Sequence, residues 1–200
     1  MKNMPKILRN TLFVLFAFVL PYSGFGQYKM FTETGYAFKL REESNSGFSI
    51  HLVQGMTLGE SGFFVGLGGG FDMHFQNEFS YNTEDFFTLP VFVDLRYALI
   101  EDSFSDNYSG LYYMVSGGYA FVRQPYHSER EPIQNGVYLL SGLGGVINIG
   151  AKNVSLNLNV CYRFEGLSVA STENRLNSLP NHVHSLLINF GAIFKPGGKS

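Results

Sequence analysis

Cysteine occurs once in this chain, at Cys161, and tryptophan does not occur at all. A lone thiol excludes an intramolecular disulfide, so an exported domain of this sequence must draw its stability from a large core or a lipid environment. No apolar run is long enough to cross a bilayer as a helix, which needs roughly 18 or more residues. A basic surplus is also missing, since 14 Lys and Arg stand against 16 Asp and Glu, and phosphate-binding surfaces want the opposite balance. Nucleic acid is therefore not an expected partner. Helical periodicity is absent too: no segment repeats its apolar residues at three and four.

The first residues read as an export signal. MKNMPKILRN carries Lys2, Lys6 and Arg9 and no acid, TLFVLFAFVL follows as an apolar stretch, and PYSGFG places Gly24 and Gly26 at cleavage-like spacing. The expected division is a signal peptide at 1–26 and a single domain at 27–200 beginning with Gln27. Losing the signal leaves 11 basic residues against 16 acids, a net charge of −5. No cysteine follows the apolar stretch, so a lipoprotein anchor is not expected.

What the chain does contain is 20 Phe, 12 Tyr and 23 Gly, a mixture that helices disfavour and strands accept. Period-two alternation recurs eight times, predicting strands near 28–40, 47–58, 62–75, 86–99, 111–122, 136–149, 154–165 and 182–194. Their length exceeds the usual five or six residues and suits a tilted crossing of a membrane. TLGES (57–61) and GAKN (150–153) read as tight turns. QNEFSYNTED (76–85), RQPYHSEREPIQN (123–135) and GLSVASTENRLNSLPN (166–181) read as long polar loops, while REESNS (41–46) and IEDSFSDNYSG (100–110) depart from a strict short-long alternation.

The faces then sort. In TLPVFVDLRYAL, Leu89, Val91, Val93, Leu95 and Tyr97 share one face and Asp94 and Arg96 the other. In GFFVGLGGGFDMHF the apolar residues lie opposite Gly66, Gly68, Gly70, Asp72 and His74. In VSLNLNVCYRFE they lie opposite Ser155, Asn157, Asn159, Cys161, Arg163 and Glu165. HVHSLLINFGAIF allows either assignment.

On the signal ending GFGQ, the LPVFVDLRY strand, the strand count and the turn asymmetry, the chain resembles the small eight-stranded outer-membrane β-barrels. These are the OmpX-like size class and the "outer membrane protein beta-barrel" domains of gliding and gut bacteria. It differs in that Phe194 is followed by KPGGKS rather than ending the chain. The resemblance implies an all-β, eight-stranded antiparallel up-and-down transmembrane barrel in the bacterial outer membrane, in contact with lipid and lipopolysaccharide. It also implies no cofactor, and a protein partner at the outer loops. The implied function is non-enzymatic: presenting loops for surface, protein or lipopolysaccharide contact, or serving envelope assembly or secretion, with a lumen filled by side chains. Two alternatives stay open, a lipid-modifying barrel enzyme and a soluble lipocalin-like carrier.

Within that architecture Glu33, Lys39, Asp72, Asp94, Arg96, Arg163 and Glu165 are the expected lumen charges. Two aromatic girdles are expected, Phe48, Phe75, Phe87, Phe121 and Phe164 near the outer ends and Tyr28, Phe63, Tyr97, Tyr113 and Phe194 near the periplasmic ends. Pairing Phe38 with Ile50, Leu58 with Phe63 and Phe75 with Phe87 places Gly55 and Gly66 between Glu33 and Arg96, and sets Lys39 near Asp72. GLGGG (66–70) lacks the helix and the Lys-Ser/Thr pair of a phosphate loop, so its glycines read as space inside a narrow barrel. His182, His184 and His127 lack a carboxylate or cysteine at metal spacing, so no metal is expected. No catalytic residue is expected either, because His184 and Ser185 face opposite ways and Ser116 and Ser141 have no histidine at their depth. Glu129, Arg130 and Glu131 read as a solvated loop face.

Overall fold

The computed structural model describes residues 28–41, 44–58, 61–75, 86–100, 109–123, 133–151, 153–169 and 182–195. These form β1 (Tyr28–Lys39), β2 (Gly47–Thr57), β3 (Phe63–His74), β4 (Phe86–Ala98), β5 (Gly110–Arg123), β6 (Ile133–Asn148), β7 (Val154–Val169) and β8 (His182–Phe194). Every pairing is antiparallel between chain neighbours, and β8 returns to β1, so the sheet closes into an up-and-down barrel with no edge. Gly62 and Gly150 take positive φ at the two tight turns, a backbone conformation that a side chain disfavours. The end carrying both turns and the β1 and β8 termini is the turn end, and the opposite end is the loop end.

The strands are strongly staggered. Lys29 pairs with Gly55, and the row continues through Gly66, Asp94, Ser116, Leu140, Arg163 and Ser185 to Lys39, ten residues along the strand where it began. A closed sheet with this stagger must tilt its strands, typically by about 35–45°.

Register departs from expectation at two hairpins. Tyr36, not a residue four further on, pairs with Phe48, and Ile50 pairs with Thr34 rather than Phe38. Phe87 pairs with Met73 rather than Phe75. The β2–β3 hairpin has the expected register, Leu58 N–H donating to the Phe63 carbonyl at 2.8 Å. Both displacements are even, and an even slip keeps every side chain on its face, so alternation alone does not resist it. The β1–β2 register is set instead by the connection, where Leu40 N–H continues the ladder onto the His184 carbonyl and Ser44 and Asn45 are buried. β6 and β7 also run past their expected ends, Ile133 pairing with Val169 and Gln134 with Ser168 beyond a bulge. There the Asn135 side chain accepts a bond from Val122 N–H at 2.7 Å, replacing a ladder bond.

Inward side chains are buried and outward ones half-buried or exposed around the whole barrel, including β8, where Val183, Ser185, Leu187, Asn189 and Ile193 face in. The expected signal segment 1–26 and Gln27, His127, Glu129, Arg130, Glu131, the 76–85 loop, most of the 100–110, 123–135 and 166–181 connections, and all of the KPGGKS tail but Lys195 lie outside the described residues.

Candidate functional site

The lumen holds two tiers of charge. In the tier nearer the turn end, Arg96 donates from Nε to Asp94 at 2.6 Å and from Nη1 to Glu33 at 2.8 Å and to the Tyr112 hydroxyl at 3.1 Å. Its guanidinium lies 3.8 Å from the Phe31 ring centroid, within cation–π range. The acids are saturated from other strands. Asn157 and Asn159 donate to Glu33 Oε1 at 2.6 and 3.0 Å, Ser116 donates to Asp94 at 2.6 Å, and Tyr112 donates to Asn157 at 2.6 Å.

The tier nearer the loop end centres on Arg163. It lies 3.3 Å from Asp72 and 3.3 Å from Glu165 and donates to Ser185 at 2.9 Å and Ser49 at 3.1 Å. His51 Nε2 is 2.9 Å from Asp72 and 3.2 Å from the Tyr138 hydroxyl. His74 lies 3.5 Å from Glu165, its ring stacked on Phe86 at 4.4 Å. All these charged groups are essentially inaccessible. Phe92, Cys161 and Leu187 are buried between members of the two tiers on their own strands. The Cys161 thiol, 3.4 Å from the Met114 sulfur and 3.2 Å from Asn159, fills space there.

Aromatic rings make this packing dense, and glycines make it possible. A Cβ on Gly68 would sit 2.2 Å from the Phe92 ring, and one on Gly144 would sit 2.2 Å from the Tyr112 ring. Phe31, Phe64 and Ile193 are buried at the turn end, and Phe86, Val122, Leu167 and Val183 at the loop end. Buried side chains thus occupy the described lumen at both ends and in both tiers.

Of the expected lumen charges, Glu33, Asp94 and Arg96 meet in one tier and Asp72, Arg163 and Glu165 in the other. Lys39 joins neither. It is exposed at the end of β1, and the Lys39–Asp72 pairing expected from sequence is replaced by Asp72 with His51 and Arg163. The observed register aligns Asp72 with Ser49 and so with Gly35, four residues and about 13 Å back along β1 from Lys39. The route through Gly55 and Gly66 is likewise displaced, since Glu33 neighbours His51 and then Gly70. Arg96 meets Glu33 across the lumen instead of along a row. Sequence reasoning passed over His51, Ser49, Tyr138 and Tyr112, as well as Thr88, which donates to Glu165 at 3.3 Å, and Asn189, which donates to Asn159 at 2.9 Å. Their shared signal is membership of the inward face, legible for His51 and Ser49 in the alternation FSIHLV.

Outside, Phe48, Phe75, Phe87, Phe121 and Phe164 point outward toward the loop end and Tyr28, Phe63, Tyr97, Tyr113 and Phe194 toward the turn end. Phe63 and Tyr97 rings touch at 4.6 Å. Ten residues of β4 separate Phe87 from Tyr97, about 33 Å along the strand and about 25 Å along a tilted barrel's axis.

These features define a class: a closed eight-stranded antiparallel barrel with a charged interior and an apolar exterior. In three dimensions the chain is similar to the crystal structure of Neisserial surface protein A, with a TM-score of 0.62 and 14% sequence identity over 86% of this chain and 99% of that one. At that identity the likeness concerns the fold. No protein-family profile and no curated protein matches the sequence.

Proposed function

We propose that this chain is a non-enzymatic outer-membrane barrel, of the OmpX-like size class, which holds polar loops at the cell surface for contact with lipopolysaccharide, another protein or an external surface. The observation that carries this reading is the inverted polarity. Val91, Val93, Leu95, Leu143 and Phe190 are 46–57% exposed while Arg96, Arg163, Asp72 and Asp94 are at most 1% exposed. A water-soluble carrier would bury the first set and solvate the second. Lipid supplies the environment in which the arrangement is favourable. The buried side chains that occupy the described lumen support a scaffold role over a general diffusion pore.

Three measurements test this. Membrane fractionation should place the chain in the outer membrane with heat-modifiable gel migration; a soluble periplasmic product would overturn the reading. Cysteines placed in 124–132 or 170–181 should react with an impermeant thiol reagent on intact cells, whereas one in 150–153 should not, and the converse pattern would reverse the orientation. A deletion strain should keep an unchanged lipid A mass profile, since a changed one would mean lipid-modifying chemistry.

Val93→Arg should lower stability in a bilayer by about 2–4 kcal/mol, the cost of arginine near the midplane of a barrel's lipid face. An unchanged unfolding midpoint in phospholipid vesicles would place that face elsewhere.

A further inference from the structure

The loop end of the β7–β8–β1 arc carries imidazoles where lipid-facing side chains would otherwise be apolar. His182 and His184 point outward from β8, their rings 6.4 Å apart. Phe164 packs against both, at 5.4 and 5.2 Å, and the Tyr162 hydroxyl bonds to His184 Nδ1. Tyr36 and Phe38, in contact at 4.8 Å, continue the aromatic shelf onto β1.

Above this shelf the β1–β2 connection is fastened to β8. Leu40 N–H donates to the His184 carbonyl at 3.0 Å, His184 N–H to the buried Ser44 hydroxyl at 3.0 Å, and Ser44 N–H to the Arg41 carbonyl at 3.0 Å. That anchoring holds the Arg41 backbone beside the start of β8, and Arg41 is exposed, as is Lys39. His182 Nδ1 is buried and has no hydrogen-bond partner among the described residues. With Nδ1 enclosed, Nε2 is the ring nitrogen through which His182 can meet a ligand from outside the barrel.

We propose that Arg41, His182 and His184, on the shelf of Tyr162 and Phe164, form a binding site for the phosphate of a membrane lipid headgroup. This deepens the membrane-spanning reading and rests on it. The aromatic shelf marks headgroup depth. A guanidinium at that depth supplies the charge and geometry for a phosphate oxygen, and the imidazoles supply N–H donors. The lipid's acyl chains would then run down the apolar outer face of β7 and β8, over Val160, Leu158, Ile188 and Phe190. Glu42 and Glu43, which follow Arg41 in the chain, lie outside the described residues.

The test uses the folded full-length mature chain in a neutral detergent, with lipid retention read by native mass spectrometry. Phosphatidic acid should be retained as one tightly held molecule in preference to phosphatidylcholine. Arg41→Gln combined with His182→Gln should weaken that retention about fivefold or more, at roughly a fivefold loss per basic group near a lipid surface. Arg123→Gln, at the loop end of β5, should leave it unchanged. Equal retention by the wild type and the double variant, both showing heat-modifiable migration, would overturn the site. Displacement of phosphatidic acid by inorganic phosphate at millimolar concentration would overturn the commitment to a lipid. A wild-type chain without heat-modifiable migration would instead overturn the barrel reading on which the site depends.

Discussion

Arg96→Leu is expected to remove about 3–5 kcal/mol of barrel stability, because it strands Glu33 and Asp94 as buried carboxylates without their shared cation. The comparison is Arg123→Leu. That guanidinium is exposed and its described contact is with the neighbouring Val122 carbonyl at 3.3 Å, so its loss should stay within about 0.5 kcal/mol. Urea unfolding midpoints in detergent micelles, read by heat-modifiable migration, measure both. Equal midpoints would refute the buried network as a source of stability. The triple variant Glu33→Gln, Asp94→Asn, Arg96→Leu should recover most of the loss, since removing all the charges together leaves none uncompensated.

Gly144 and Gly145 should respond in opposite ways to the same substitution. Gly144 faces the lumen, where an alanine Cβ would lie 2.2 Å from the Tyr112 ring. That ring cannot yield easily, because its hydroxyl is bonded to both Arg96 and Asn157. Gly144→Ala should therefore lower stability by about 1–3 kcal/mol through overpacking, and Gly144→Val should prevent the folded gel form from appearing. Gly145 faces outward, and its added Cβ would meet Leu111 at 3.5 Å, an ordinary contact. Gly145→Ala should be neutral or stabilising by up to about 1 kcal/mol. Similar losses at both positions would mean that the faces of β6 are misassigned.

The contrast between these neighbours shows what sequence could and could not disclose. Face is a matter of parity, and a strand buried on one side only must honour it throughout. That is why Asp94 and Arg96 could be placed inward from LPVFVDLRY alone. Register depends on how far one strand slides along another. Slides of two or four residues leave the alternation intact, which is how Phe38 was matched to Ile50 and Lys39 to Asp72. Arg96 stands beside Glu33 despite those displaced rows because a contact across a narrow lumen depends on face and height, and the ten-residue stagger lifts β4 toward that height. His51 was passed over because a single histidine between Ile50 and Leu52 carries no partner in its own strand. Asp72 reaches it from the adjoining β3, and Tyr138 from β6, a strand that only the closed barrel brings near. The departure from alternation at Asn135–Gly136 hid the last loop-ward pairs of β6 and β7 for a related reason, since a bulge shifts parity midway.

The tier around Glu33 also bears on how fast the barrel can come apart. Glu33 takes bonds from Asn157 and Asn159, 124 and 126 residues away, and such contacts have no counterpart until the first and seventh strands share one enclosure. Joining segments so distant carries a loop-closure cost, so these bonds are expected to form late, which an unchanged folding rate beside a faster unfolding rate for Asn157→Ala would show. Interactions absent at that step leave the folding rate nearly untouched and act on the reverse one. The charged interior is thus a late-closing latch: it slows escape from the finished barrel without hastening its assembly.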